Sequence, residues 1–302
     1  MSEHSANTRG IVLMIAGSAS FAINDAFSKF ALGMHMPPSQ ILALRGVLAG
    51  VFLLALLAAL GQLSGLRHAL DRRVLVRAIA EAVSAAMFIT AISTMSIGDA
   101  AAVLQIAPIA TMAAAVLFFG AKLSWQRWIA VAAGFVGVGL IIKPGSSAFD
   151  PMAVLPLGAA LLISFRDFVT GRIGSHVPTL VVTLMTAMMG MLLGFAGSAV
   201  ETWQPLSLPL ASVLTGGGVM LVLGHMLTIG AFRGTDPALI APFRYAAVVC
   251  SVGLSAALFG NAPDLVSIGG MALIVAAGLI TMHSHRSSAR RALVAATESQ
   301  AT

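Results

Sequence analysis

The chain has 302 residues, of which 58% are apolar and 9% charged, with a net charge of +6 at pH 7 and a mean hydropathy of +0.96. A soluble domain carries roughly 25% charged residues, so this composition excludes an ordinary soluble enzyme and specifies an integral membrane protein. The basic residues punctuate the apolar runs instead of gathering into a patch with interleaved aromatics, which excludes a nucleic-acid partner. The single cysteine, Cys250, rules out an internal disulfide framework and a paired-thiol metal site.

Residues 1–9 read as a short polar tail. The first apolar run continues well past the length of a signal-peptide core, so a cleavable signal is not expected. Ten runs of about spanning length follow, at roughly 10–32, 39–60, 74–97, 100–119, 126–142, 152–172, 179–198, 211–231, 237–259 and 264–283. Turn signals separate them, among them Met36-Pro37-Pro38, Lys143-Pro144-Gly145, Trp203-Gln204-Pro205 and Asp236-Pro237. The short break from Ile97 to Asp99 predicts a tight hairpin between the third and fourth helices.

Of the 17 Lys and Arg residues, twelve fall in one set of connecting segments, from Arg9 to Arg291, and only Lys143 falls in the other. By the positive-inside rule both termini are cytoplasmic, which agrees with an even number of spans. The two halves also echo each other: DAAAVLQIAP from Asp99 has its counterpart in DPALIAP from Asp236, and Phe119-Gly120 in Phe259-Gly260. A repeat of five spans, an odd number, enters the membrane upside down in its second copy. The expected fold is therefore all-α, with ten transmembrane helices as two inverted repeats, 10–145 and 146–283, followed by a cytoplasmic tail at 284–302. Secondary transporters use this design, with the substrate site at the repeat interface.

A charge at the bilayer centre costs roughly 2.5 to 3.5 kcal/mol on insertion scales, so such residues face a protein interior or a wet cavity. Asp25, Lys29, Arg45, Glu81, Arg166, Asp167 and Arg244 fall inside the predicted spans. Asp25 and Lys29 have the spacing of an i,i+4 pair, as do Arg77 and Glu81. Lys29 also has the reach to snorkel to an interface. Arg45 and Arg244 have no acidic residue three or four positions away, so their partners must lie on other helices, in water or on a substrate. At 1.5 Å per residue, Asp25 and Arg45 share a depth of about 10 Å below the outer surface. Glu81, Asp167 and Arg244 form an inner group. Arg166 and Asp167 point about 100° apart on one helix and cannot satisfy each other. These charges describe either a buried ion-pair network that holds helices together or a cavity of both signs, suited to a zwitterionic or carboxylate-bearing solute. Asn24 shares the inward face of Asp25, and His225 is an isolated polar residue in the eighth span.

Gly134, Gly137 and Gly139 in GFVGVG lie within a helix, where small residues permit close packing and not nucleotide binding. The same reading applies to the GxxxG spacings Gly46 to Gly50 and Gly190 to Gly194. No zinc motif, Cys or His cluster, Walker loop or nucleophile elbow occurs. No metal, cofactor, catalytic residue or ATP coupling within the chain is therefore expected.

The segment LFFGAKLSWQRWIAVAAGFVGVGLIIKPG, Leu117 to Gly145, and its weaker echo ALFGNAPDLVSIGGMALIVAAGLI, Ala257 to Ile280, resemble the two repeats of the EamA family in the drug/metabolite transporter superfamily. The opening NTRGIVLMIAGSASFAINDAFSKF, ILALRG at 41–46 and DPALIAPFRY at 236–245 look most like its S-adenosylmethionine uptake-like branch. The resemblance implies ten helices, with 1 to 4 and 6 to 9 around a central cavity, and alternating access without ATP. The chain departs from the family where Gly120 precedes Ala121 and Gly260 precedes Asn261, positions at which a Gly-Glu pair is usual. Tyr245 is the only tyrosine, which argues against an aromatic cage for a sulfonium.

The expected function is transport of a small polar, amino acid-like metabolite across a cell membrane, the inner membrane if the source is bacterial. The substrate or gate residues are Asp25, Arg45, Arg166, Asp167 and Arg244, then Glu81, His225 and Asn24. A proton-coupled exporter of lipophilic cations and an S-adenosylmethionine permease are the alternatives, with a membrane enzyme or scaffold more remote. The partners are the solute and the lipid bilayer; a homodimer is left open.

Overall fold

The computed structural model describes residues 3–107, 109, 125–143, 150–170, 172–174, 176–232, 241–277 and 279–280. Among them every regular element is helical and no strand occurs. The first half contains α1 Glu3–Gly33, α2 Pro38–Ala59, α3 Arg72–Thr94, α4 Ile97–Leu104 and α5 Trp125–Ile142. The second contains α6 Val154–Thr170, α7 Thr179–Gly197, α8 Leu208–Phe232, α9 Ala246–Phe259 and α10 Leu265–Ala277. Six helical stretches, in α1, α2, α3, α6, α7 and α8, are long and apolar enough to cross a membrane. Shorter apolar helices occupy the positions of α5, α9 and α10. The continuation of the fourth predicted span, most of the DPALIAP echo and Gly120 lie outside the described residues.

Local chemistry sets the helix ends. Pro38 opens α2 after an extended Pro37, a position where its missing N–H costs nothing. Asp71 accepts from the Arg73 N–H at 2.8 Å to start α3, and Ser96 accepts from the Asp99 N–H at 3.0 Å to start α4, each supplying an acceptor to an orphan helical donor. Only Met95 and Ser96 separate α3 from α4, a break as short as the sequence predicted but two residues earlier, because Ser96 caps α4 and draws Ile97 to Asp99 into the helix. Gly260 closes α9 in the left-handed conformation, φ 69°, which glycine adopts without a Cβ penalty.

Small residues decide which helices touch. In a membrane there is no hydrophobic drive between helices, so close backbone approach through small side chains dominates. On α8, Gly216, Gly217 and Gly224 form the hollows that take Phe27 and Phe21 of α1. The helices α2 and α7 meet through their two GxxxG spacings: Gly46 faces the Ala187 carbonyl and Met191, and Gly194 faces the backbone of Ser39 and Ala43. Gly137 of α5 and Gly270 of α10 each lie against the other's carbonyl. Of the glycines singled out in the sequence, Gly46, Gly134, Gly137 and Gly194 make such close approaches, whereas a Cβ at Gly139 would meet nothing within 4 Å. A further tie joins α5 to α10, where Lys143 pairs with Asp264. Together with the Ser267 N–H, that ammonium holds the exposed Asp264 carboxyl down at about 2.

The halves interlock across the chain. Contacts run between α1 and α8, α3 and α6, α2 and α7, α3 and α7, α2 and α8, α1 and α9, α4 and α6, and α4 and α9. The apolar core under α4, α5, α9 and α10 includes Val103, Ile106, Ile109, Val131, Val248 and Ile274.

Candidate functional site

Four helices, α2, α3, α7 and α8, enclose a cavity between the halves. Its apolar walls include Leu42, Ala49, Leu53, Ala85, Leu221 and Val222, and its polar groups are Arg45, Glu81, Thr183, Thr186 and His225. The space open to water centres is about 60 Å³. One water needs roughly 10 to 15 Å³ on that measure, so the cavity holds a few waters in this conformation.

At one end of the site, α1 contributes Asn24 and Asp25 and α2 contributes Arg45. The Asn24 carboxamide stands between the two charges. Its Oδ1 accepts from Arg45 Nη1 at 3.4 Å, and its Nδ2 donates to Asp25 Oδ1 at 2.9 Å. Asn24 is 2% exposed and Arg45 8%, so both are interior groups. The inward face expected for Asn24 and Asp25 is thus the face the structure turns toward Arg45, through an amide and not a direct ion pair.

At the other end, Glu81 of α3 is held by two arginines. Arg166 of α6 forms an ion pair and a hydrogen bond with its Oε2, and Arg77, one turn away on α3, approaches the same oxygen at 3.7 Å. Arg77 also donates to Thr186 Oγ1 on α7. One carboxylate and one hydroxyl therefore join three helices, a compensated arrangement that a buried charge requires. His225 of α8 lies edge-on to Phe21 of α1, centroids 5.0 Å apart at 80°.

Other predicted residues lie elsewhere. Lys29 does not serve Asp25: its ammonium donates to the carbonyls of Ile92 at 2.6 Å and Met95 at 2.7 Å, capping the C-terminal end of α3. Arg244 is exposed in a 3-10 turn, Ala241–Tyr245, that precedes α9, and its carbonyl accepts from Gln105 Nε2 at 3.2 Å. Asp167 lies on α6, and its side chain is outside the described set. Among the described residues no group of three or more His, Cys, Asp or Glu could hold a metal.

Sequence reasoning missed the hydroxyl face of α7. Thr183, Thr186 and Gly190 recur at the i, i+3, i+7 spacing of one helix face and all line the cavity. It also missed Gln40, 3% exposed, whose amide reciprocates the backbone of Gln204: Nε2 donates to the carbonyl at 2.7 Å and Oε1 accepts from the N–H at 2.9 Å. Beside it the Ser39 N–H donates to Glu201 Oε2 at 2.9 Å, and Trp203 Nε1 donates to Ser39 Oγ at 2.9 Å. At the opposite end of the bundle Pro178 packs on Gly65, His176 meets His68 edge-on at 4.8 Å, and Arg73 donates to the Arg172 carbonyl at 2.6 Å.

An interior cavity with paired charges, inside a bundle of apolar helices, is the architecture of a polytopic membrane transporter. Residues 8–143 match the EamA-like transporter family. The chain is similar over 92% of its length to a riboflavin transporter of Rhizobium johnstonii, 28% identical and covering 92% of that protein. It is 23% identical to an S-adenosylmethionine uptake transporter of Rickettsia prowazekii, covering 92% of this chain and 94% of that one. A pseudopaline exporter of Pseudomonas aeruginosa is 23% identical over 89% of this chain and 94% of its own. A solved crystal structure shares the fold with a TM-score of 0.63 at 21% identity, covering 95% of this chain and 99% of its own. The chain is a multi-pass cell-membrane protein whose residues 8–143 match the EamA-like transporter family that its motifs resemble.

Proposed function

We propose that the chain moves a small polar, carboxylate-bearing or zwitterionic metabolite across the membrane by alternating access between two inverted five-helix repeats, without ATP. The observation that carries this is the cavity itself. Its charged lining sits between the two halves, and its four helices form two pairs of equivalent position, α2 with α7 and α3 with α8.

The pattern of packing supports the inverted repeat. If α1 to α5 correspond to α6 to α10, the α1–α8 contact has its mate in α3–α6, α1–α9 in α4–α6, and α2–α8 in α3–α7, while α2–α7 and α4–α9 map onto themselves. All of these contacts are present. The closures at the two ends are also equivalent: the α1–α2 turn meets the α7–α8 connection through Gln40 and Gln204, and the α6–α7 connection meets the α2–α3 connection through Pro178 and Gly65. Rocking one half against the other would open one closure and keep the other, the general scheme for such repeats. The Lys and Arg bias makes the Gln40 closure the outer one. In this scheme Asp25, Arg45, Glu81 and Arg166 are cavity or gate residues, and Asp167 and Arg244 join them when the inner side opens.

A second reading, an S-adenosylmethionine permease, is favoured by the named relatives. The cavity, however, has no Phe, Tyr or Trp among its described lining residues, and the faces of those rings are the usual partners of a sulfonium.

Counterflow of labelled metabolites into proteoliposomes tests the proposal, with wild type beside Asp25→Asn. Saturable accumulation by the wild type, lost in the folded variant, is expected. Unchanged accumulation by the variant would remove Asp25 from the transport path, and none by the wild type for any metabolite would refute transport of this class.

A further inference from the structure

The cavity contains one cation that the protein leaves incompletely bound. Of the three arginines in the polar core, Arg166 and Arg77 both lie on Glu81. Arg45 has no carboxylate within 4.0 Å among the described residues, and the hydrogen bond it makes to a side chain is the long one to Asn24 Oδ1, 3.4 Å. A guanidinium carries five N–H donors and stays charged at any physiological pH. Arg45 lines the cavity, and none of its nitrogens is both sealed from solvent and without a partner. Its unused donors therefore open onto the void.

The rest of the lining does not neutralise it. Glu81, the carboxylate on the cavity wall, is engaged by two guanidinium groups, Arg77 and Arg166, so among the described residues this cluster of three keeps one positive charge in excess and has none of its negative charge to spare for Arg45. Asp25 acts on Arg45 through space, but it lies behind the Asn24 amide and is not part of the lining. A solute in the void meets the Arg45 fork, the Thr183 and Thr186 hydroxyls, and apolar walls.

Building on the transport reading above, we infer that Arg45 is the substrate anchor and that the site selects solutes presenting a carboxylate or similar planar oxyanion to it, with a net negative or zero charge, and rejects net cations. A planar guanidinium and a planar oxyanion pair through two parallel N–H···O bonds. Binding would replace the long Asn24 contact by a shorter, charge-assisted pair. A net cation has no such gain: it brings its positive charge beside Arg45 and finds Glu81 already engaged. Asn24 is a positioning residue, because it holds the guanidinium fork without neutralising it.

The test uses the full-length protein in proteoliposomes at pH 7, with counterflow of labelled glutamate, alanine, lysine and S-adenosylmethionine beside an unlabelled metabolite extract whose accumulated members are identified by mass spectrometry. Accumulated solutes are expected to carry a carboxylate or other oxyanion and no net positive charge. Arg45→Gln is expected to weaken their half-saturation at least about tenfold, the loss of one charge-assisted pair, and Arg45→Lys to recover part of it. Because Arg45→Gln risks misfolding, Asn24→Asp provides a second variant: a carboxylate in the place of the amide would occupy Arg45 while leaving it present, and the same weakening is expected. Accumulation of lysine or S-adenosylmethionine in preference to the anions would overturn the inference and leave transport standing. So would wild-type affinity for anions in both Arg45→Gln and Asn24→Asp. A wild type that accumulates nothing overturns the transport reading and this inference with it.

Discussion

Arg166 of α6 pairs with Glu81 of α3 although the two are 85 positions apart in the chain, and the same Glu81 oxygen has Arg77 at 3.7 Å. Removing the carboxylate leaves two guanidinium groups facing each other in a low-dielectric interior. Glu81→Gln is therefore expected to destabilise the protein by about 3 to 5 kcal/mol, the usual cost of breaking a buried pair from one side. Thermal unfolding in detergent would read this as a lowered midpoint. The double variant Glu81→Gln/Arg166→Gln should lose less than the sum of its two singles, because it no longer strands the Arg166 charge. Strict additivity would show that the pair is not coupled.

The α2–α7 crossing depends on missing side chains. A Cβ at Gly46 would stand 2.8 Å from the Ala187 carbonyl oxygen, a backbone atom that cannot rotate aside. Gly46→Val is expected to cost about 1 to 3 kcal/mol through overpacking, and to lower activity more than stability because the residue lines the cavity. A Cβ at Gly139 would meet nothing within 4 Å, so Gly139→Ala, in the same measurement, should be neutral or slightly stabilising through its helix propensity. Equal losses in both would show that the crossing is not specifically tight.

Much of this arrangement was legible in the sequence, for physical reasons that differ from residue to residue. Run length and hydropathy identify the membrane class because bilayer thickness sets helix length. Asp25 and Arg45 were matched because depth follows from helical rise, and the structure brings them to one site. Lys29 was offered as a partner for Asp25 or as a group snorkelling to an interface; its ammonium instead leaves Asp25 for the backbone carbonyls of Ile92 and Met95, and backbone acceptors leave no mark in a sequence. Arg244 was placed in a span; its side chain is exposed in the 3-10 turn Ala241–Tyr245 through which the chain enters α9, a local break in helix type that run length and hydropathy do not register. The role of Asn24 also escaped, since an amide between two charges is visible only once the packing of α2 on α1 is known.

Gln40 and Gln204 form the firmest directional contact at the Pro37 end of the bundle, two hydrogen bonds from one buried amide. Gln40→Ala removes both, each worth about 1 kcal/mol net, while Arg73 and Pro178 at the other end are untouched. The population open at the Pro37 end is expected to rise by roughly tenfold or more. Distances between spin labels across the α1–α2 turn and the α7–α8 connection would show a longer component in the variant. A distribution identical to that of the wild type would mean that Glu201 and Trp203 suffice to hold this end shut.

The proposed orientation makes a separate prediction, independent of substrate. With Cys250 replaced by Ser, a single cysteine introduced at His35 or Gln204 should react with a membrane-impermeant maleimide added to intact cells. One introduced at Gln62 or His176 should react only after the membrane is opened. The reason is that α2 and α7 run in opposite senses and begin at opposite ends, Pro38 and Thr179, and the Lys and Arg bias assigns the Thr179 end to the cytoplasm. Labelling of Gln62→Cys in intact cells would invert the assignment of the gates, and reactivity of His35→Cys and His176→Cys from one side would remove the inverted relationship between the two halves.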